Sequence, residues 1–184
     1  MATFILNPNG TVTITFTASD GGTATYEYVN SDDTSEYLYS ATNGERIIVD
    51  MQSPSDAGVD SGDVDTINSV TLKVKAQKTL LGNGFITVQQ VGTAADSSSI
   101  SNGTDSITVT SGASWTTYSG TSETTSDGSN NWVYGDLAGL QLRVTQFRNL
   151  RFGQNQVAYL YAEVDYTPTA VAVTHNAPFF GTNF

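Results

Sequence analysis

Glu163 and Asp165 are the carboxylates whose spacing most invites chemistry. They stand two residues apart in Val157 to Pro168 (VAYLYAEVDYTP), and an extended chain would project both from one face about 7 Å apart. That separation suits an inverting glycosidase, in which one carboxyl protonates the leaving group and the other activates water. The same alternation accounts for the pair without a reaction. Ala158, Leu160, Ala162, Val164 and Tyr166 face one way, and Tyr159, Tyr161, Glu163 and Asp165 face the other, as in a half-buried strand ending at proline. No catalytic residue is assigned, and the chain is read as non-enzymatic.

A second set, Asp56, Asp60, Asp63 and Asp65 in SDAGVDSGDVD, is dense enough in oxygen donors to be a calcium candidate, although it lacks the spacing of an EF-hand loop. Turn formation explains the same density, because Asp and Ser side chains bond their own backbone. No cofactor is expected. His175 is the single histidine and has no cysteine to join it as a metal ligand. Serine is abundant, but no G-x-S-x-G elbow and no second base make a triad. Gly82-Asn83-Gly84 reads as a hairpin turn and not a phosphate cradle.

Aromatic side chains offer a third chemistry. Tyr37 and Tyr39 share a face if their segment is extended, as do Tyr159 and Tyr161, and such rows can stack on sugar rings or serve a subunit interface. Trp115 and Trp132 read as core or core-edge residues. The end of the chain, Thr169 to Phe184, presents Phe179, Phe180 and Phe184 beyond the strand that should close the domain; Phe4 and Ile5 stand near the start. Both ends are expected to be arms laid on a neighbouring subunit, by strand addition or aromatic anchoring.

Eighteen acidic against seven basic residues give a formal charge of −11, which repels phosphate backbones and anionic lipid, so neither a nucleic-acid nor a membrane partner is expected. Arg46 is the only base before Lys73, while eleven acids lie between Asp20 and Asp65. The chain has no cysteine, and Met1 to Leu6 carries no basic region before a long apolar core, so no secretory signal is read there.

The elements that must position these groups are strands. Val12, Ile14 and Phe16 alternate with threonines between the turn signals Asn9-Gly10 and Asp20-Gly21-Gly22. Arg46 to Met51 is a short apolar run, Val70, Leu72, Val74 and Ala76 form an inward row, and Phe85 to Val91, Ser106 to Thr110 and Trp115 to Tyr118 follow. Leu140, Leu142 and Val144 make another inward row, preceded by one helical turn at Asp136 to Gly139. Short strands with polar connections predict an all-β antiparallel sandwich, and the periodicity leaves jelly-roll and immunoglobulin-like topologies open. Residues 1–168 form the domain, with 1–9 as a possible arm, and 169–184 form the tail.

From about Leu6 to Pro168 the chain resembles a diffuse family of jelly-roll domains in phage structural proteins and prophage-associated surface proteins. The resemblance is carried by Tyr26 to Tyr39 (YEYVNSDDTSEYLY), Asp63 to Ala76 (DVDTINSVTLKVKA), Ser114 to Ser119 (SWTTYS), Trp132 to Leu142 (WVYGDLAGLQL) and Val157 to Pro168. Phe147 to Gln154 and the tail depart from the shared pattern. Glu163 and Asp165 also resemble part of the acidic strand of laminarinase-type hydrolases, but Thr167 stands where those carry a third carboxylate. The resemblance favours the jelly roll. It implies a virion protein assembled in the host cytoplasm, foremost a capsid decoration (cement) protein whose partners are the major capsid protein, other virion proteins and copies of itself, for which a trimer would suit a lattice axis. The alternative it implies is a glycan-binding module of a tail fibre or baseplate.

Overall fold

Period-two apolar rows need a second apolar layer to cover them, and this chain supplies both layers itself. The computed structural model describes residues 1–80, 82–102, 104–147 and 153–170. Its strands are β1 (Ala2–Leu6), β2 (Pro8–Ile14), β3 (Thr17–Ala18), β4 (Leu38–Ser40), β5 (Arg46–Met51), β6 (Val64–Lys78), β7 (Gly84–Thr93), β8 (Ser99–Ser101), β9 (Asp105–Val109), β10 (Gly112–Glu123), β11 (Leu140–Gln146) and β12 (Asn155–Pro168). Three short 3₁₀ segments interrupt them among the described residues, at Tyr26–Val29, Ser61–Asp63 and Tyr134–Gly139.

The first sheet runs β10-β6-β12-β4-β3, with β1 on the far part of the β12 edge that β4 also uses. The second runs β2-β5-β11-β7-β8, with β9 also on β7. All strand pairs are antiparallel. Along the chain β1 lies in the first sheet, β2 in the second, β3 and β4 in the first, β5 in the second, β6 in the first, β7 to β9 in the second, β10 in the first, β11 in the second and β12 in the first. Repeated crossing between two facing antiparallel sheets is the jelly-roll form of a β-sandwich.

The inward rows meet between the layers. Val70, Leu72, Val74 and Ala76 of β6 and Leu160, Ala162 and Val164 of β12 face Ile86 and Val88 of β7 and Leu140, Leu142 and Val144 of β11, all at most 2% exposed. Each fully buried branched aliphatic contributes about 1.5–3 kcal/mol before conformational entropy is charged against it. At one end Trp132 is 3% exposed, and its indole N–H donates to the Glu123 carbonyl at 3.0 Å. Asp136 is buried in the last 3₁₀ turn, where it accepts the Val133 and Ala95 N–H groups, each at 3.0 Å.

Some local expectations are corrected. Asn9-Gly10 lies inside β2 and is not a turn, and Val12 is 43% exposed. The β2–β5 register slips between Thr11 and Thr13, so Val12 is the extra residue of a bulge and swings outward. Gly82-Asn83-Gly84 is not a hairpin, because it carries the chain from β6 in the first sheet to β7 in the second. Residues 1–9 are not a free arm either. β1 pairs β12 from Ala2 opposite Tyr166 to Leu6 opposite Ala162. Phe4 is 8% exposed and meets the Tyr166 ring edge-on at 5.4 Å, so burial in its own core holds it there.

Candidate functional site: an aromatic face on the first sheet

The outer face of the first sheet collects the tyrosines read from sequence. β12 delivers Tyr159 and Tyr161 because its register against β6 slips between Val157 and Tyr159, which leaves both Val157 and Ala158 buried and starts the outward row at Tyr159. Tyr159 then stands opposite Lys75 and Tyr161 opposite Lys73. The two half-buried rings stack at 4.7 Å with 29° between their planes. The Tyr159 hydroxyl donates to Asn7 Oδ1 at 2.7 Å.

Charges frame this pair. Lys75 Nζ lies 2.7 Å from Asp32 Oδ1, and Lys73 Nζ lies 3.4 Å from Glu163 Oε1. Solvent-exposed pairs of this sort contribute only about 0–1 kcal/mol, so their effect is to fix where charge sits. Burial first, then Tyr161 and Asp32, push the Tyr159 hydroxyl pKa up; burial, then Glu163 and Asp32, do the same to Tyr161. Both hydroxyls therefore stay protonated well into alkaline solution and remain donors.

At the other end of the face, Tyr39 stands opposite Gln156, which stands opposite Gln77, and the Gln77 amide donates to the Gln156 carbonyl. Tyr37 lies 6.4 Å from Tyr39 and 5.7 Å from Trp115, ring centre to ring centre. Trp115 is a correction: it is half-exposed on this outer face and not in the core. Sequence reasoning missed it, although a signal was present. Trp115 and Tyr118 are three residues apart on one strand and so must face opposite ways. Tyr118 packs on the core and leaves Trp115 outside.

The remaining candidates do not join this cluster. Glu163 is paired with Lys73, and Asp165 accepts from Asn68 Nδ2 at 3.5 Å. Asp56 accepts the Ser53 hydroxyl at 2.7 Å, Asp63 accepts the Asp60 N–H at 3.1 Å, and Asp65 accepts from the Thr66 hydroxyl at 3.3 Å. Among the described residues no three His, Cys, Asp or Glu side chains gather to hold a metal; Asp56, Asp60 and Asp63 serve local turns, and Asp65 lies on β6. Ile5 is 43% exposed on β1. His175, Phe179, Phe180 and Phe184 lie outside the described residues. The outer face of the second sheet is amide-rich in comparison: Arg143 donates to Gln89 at 3.1 Å and Gln141 to Asp50 at 2.8 Å. No helix among the described residues is long and apolar enough to cross a membrane.

Fold and face together define an antiparallel jelly-roll β-sandwich bearing an aromatic outer surface. No protein-family model and no curated protein matches the chain. Among solved structures it is similar to the CBM36-1 domain of a multidomain xylanase from the hindgut metagenome of Trinervitermes trinervoides, at 9% identity and a TM-score of 0.44, with 91% of this chain and 100% of that one covered. It is also similar to part of an exo-β-agarase, at 12% identity and a TM-score of 0.34, over 92% of this chain and 23% of that one.

Proposed function

We propose that this protein is a non-enzymatic binding domain that takes a polysaccharide across the outer face of its first sheet, in the setting of a phage tail fibre or baseplate. The observation that supports it is the row of Trp115, Tyr37, Tyr39, Tyr159 and Tyr161, all half-exposed on one sheet face. Rings of this kind offer apolar faces for pyranose C–H groups, and their hydroxyls, with Gln77 and Lys73 around them, offer partners for sugar hydroxyls. Affinity electrophoresis through gels carrying bacterial surface polysaccharides tests it. Retardation of the wild type that is lost in Tyr161→Ala and Trp115→Ala, and kept in Glu163→Gln with no release of reducing ends, is the expected result; no retardation on any such gel sinks it.

A second reading, capsid decoration, draws on a different edge. Among the described residues β1 pairs only β12, and Ile5 is exposed on it, so its other side could take a strand from a neighbouring copy or from the major capsid protein. In this reading Phe179, Phe180 and Phe184 anchor the tail on the shell, and occupancy stabilises the lattice by linkage. Sedimentation with shells lacking the protein, comparing the full chain with one ending at Pro168, separates the two: saturable binding lost on truncation belongs to decoration.

A further inference from the structure

A chain of buried amides crosses the sandwich beside Trp132 and ends on an oxygen with nothing to bind. Gln90, 3% exposed on β7, donates Nε2 to the Val70 carbonyl of β6 at 2.7 Å. A carbonyl can only accept, so this bond fixes the Gln90 amide. Its Oε1 then accepts Asn102 Nδ2 at 2.7 Å. Asn102, also 3% exposed, is fixed in turn, and its Oδ1 is left buried without a hydrogen-bond partner.

Asn102 lines a small cavity together with Asp105 and Glu123, with free space of ≈ 10 Å³, enough for one water-sized body. Asp105 is held there by Thr121, whose N–H and hydroxyl each reach its carboxylate at 2.7 Å. A slip in the β10–β6 register between Ser119 and Ser122 turns Thr121 toward it. Gly120 leaves the room, since a Cβ there would stand 2.9 Å from Asp105 Oδ2. The ion pairs among the described residues are Lys73 with Glu163 and Lys75 with Asp32, so neither Asp105 nor Glu123 has a basic partner. The cavity thus gathers an amide oxygen and two carboxylates, and what it lacks is positive charge.

We propose that this cavity binds one calcium ion, held by Asn102 Oδ1 and the carboxylates of Asp105 and Glu123, with water completing its shell. The donors are all oxygen, which suits a hard cation, and their irregular set of one amide and two carboxylates suits calcium better than the strict octahedron of magnesium. The ion ties the β8–β9 connection of the second sheet to β10 of the first, apart from the aromatic face.

The test uses the full chain stripped with a chelator and then titrated with calcium chloride, magnesium chloride or terbium chloride. Trp132, bonded to the Glu123 carbonyl, is placed to sensitise terbium emission. Expected are one calcium per chain by calorimetry, with a dissociation constant on the order of 10⁻⁵–10⁻³ M, a raised thermal midpoint, and tryptophan-excited terbium emission displaced by calcium. Glu123→Gln keeps the side-chain shape and, with its fold checked by circular dichroism, weakens binding at least tenfold. Absence of calcium heat and terbium emission at millimolar ion overturns the proposal, as does unchanged binding in Glu123→Gln.

Discussion

Tyr37 and Trp115 bring their rings to 5.7 Å, tilted 56° to each other, although β12 and β6 separate the strands beside and on which they lie. Gln156 and Gln77, bonded to each other, occupy the two intervening strands beside Tyr39. Long rings from opposite sides of the sheet therefore lean together over its middle strands, and Tyr39, Tyr159 and Tyr161 extend the aromatic surface along β12.

Trp115 and Tyr118 separate binding from folding on a single strand. Trp115→Ala removes a half-exposed ring, so the thermal midpoint changes little while polysaccharide affinity falls about tenfold, equivalent to ~1.4 kcal/mol. Tyr118→Ala removes a ring packed on the core and a hydroxyl within 3.2 Å of the Thr110 N–H, and lowers stability by about 2–4 kcal/mol. Equal losses of stability in the two variants would show that Trp115 is structural.

Phe4 distinguishes a strand from an arm. Its ring is buried against Tyr166 and β1 is laddered to β12, so Phe4→Ala costs about 3 kcal/mol of unfolding free energy, read by urea denaturation, with no change in sedimentation coefficient. A change in oligomeric state at unaltered stability would restore the arm.

The inward rows of β6 and β11 were legible because strict alternation over several residues admits one arrangement. Phe4-Ile5-Leu6 was not, since three apolar residues in succession do not announce which faces a core, and the partner of Phe4, Tyr166, lies at the other end of the domain. Val12 was lost to a bulge that no local pattern signals. The tyrosine pairs were visible strand by strand, but their union into one face depends on the order β10-β6-β12-β4, a product of long-range pairing that period-two reading does not contain. The Asn102 cavity was hidden for the same reason: its walls come from strands of both sheets.

Gly84 begins β7 against the Asn155 side chain, which donates to Gln146 Oε1 at 2.8 Å in the buried interior. A Cβ on Gly84 would collide with the Asn155 amide, so Gly84→Ala displaces that bond and costs about 1–3 kcal/mol despite adding only a methyl group. Thermal unfolding checks it, and a variant as stable as the parent would mean the Asn155 side chain has room to move.

Asp20, Asp33, Asp96 and Asp127 each accept the backbone N–H two residues on, from Gly22, Ser35, Ser98 and Ser129, at 2.8–2.9 Å. Four of the eighteen acidic residues thus build a repeated Asx turn. All four carboxyls are held below the ordinary 3.8: Asp20 chiefly by the Gly22 N–H, Asp33 by that of Ser35, Asp96 by the Ser98 hydroxyl and then its N–H, and Asp127 by the N–H groups of Asn130 and Ser129. A folded pKa below the unfolded one means that the ionised form favours folding, so this stability is complete above the unfolded pKa and disappears as pH falls through the folded one. Asp127→Asn keeps an oxygen for the turn but loses the charge. The wild type is accordingly more stable than this variant at pH 6, and the difference narrows as pH falls toward 2 and the carboxylate takes up its proton. Urea denaturation of the two proteins at both pH values measures it; a difference that persists undiminished at pH 2 would assign the effect to shape and not to charge.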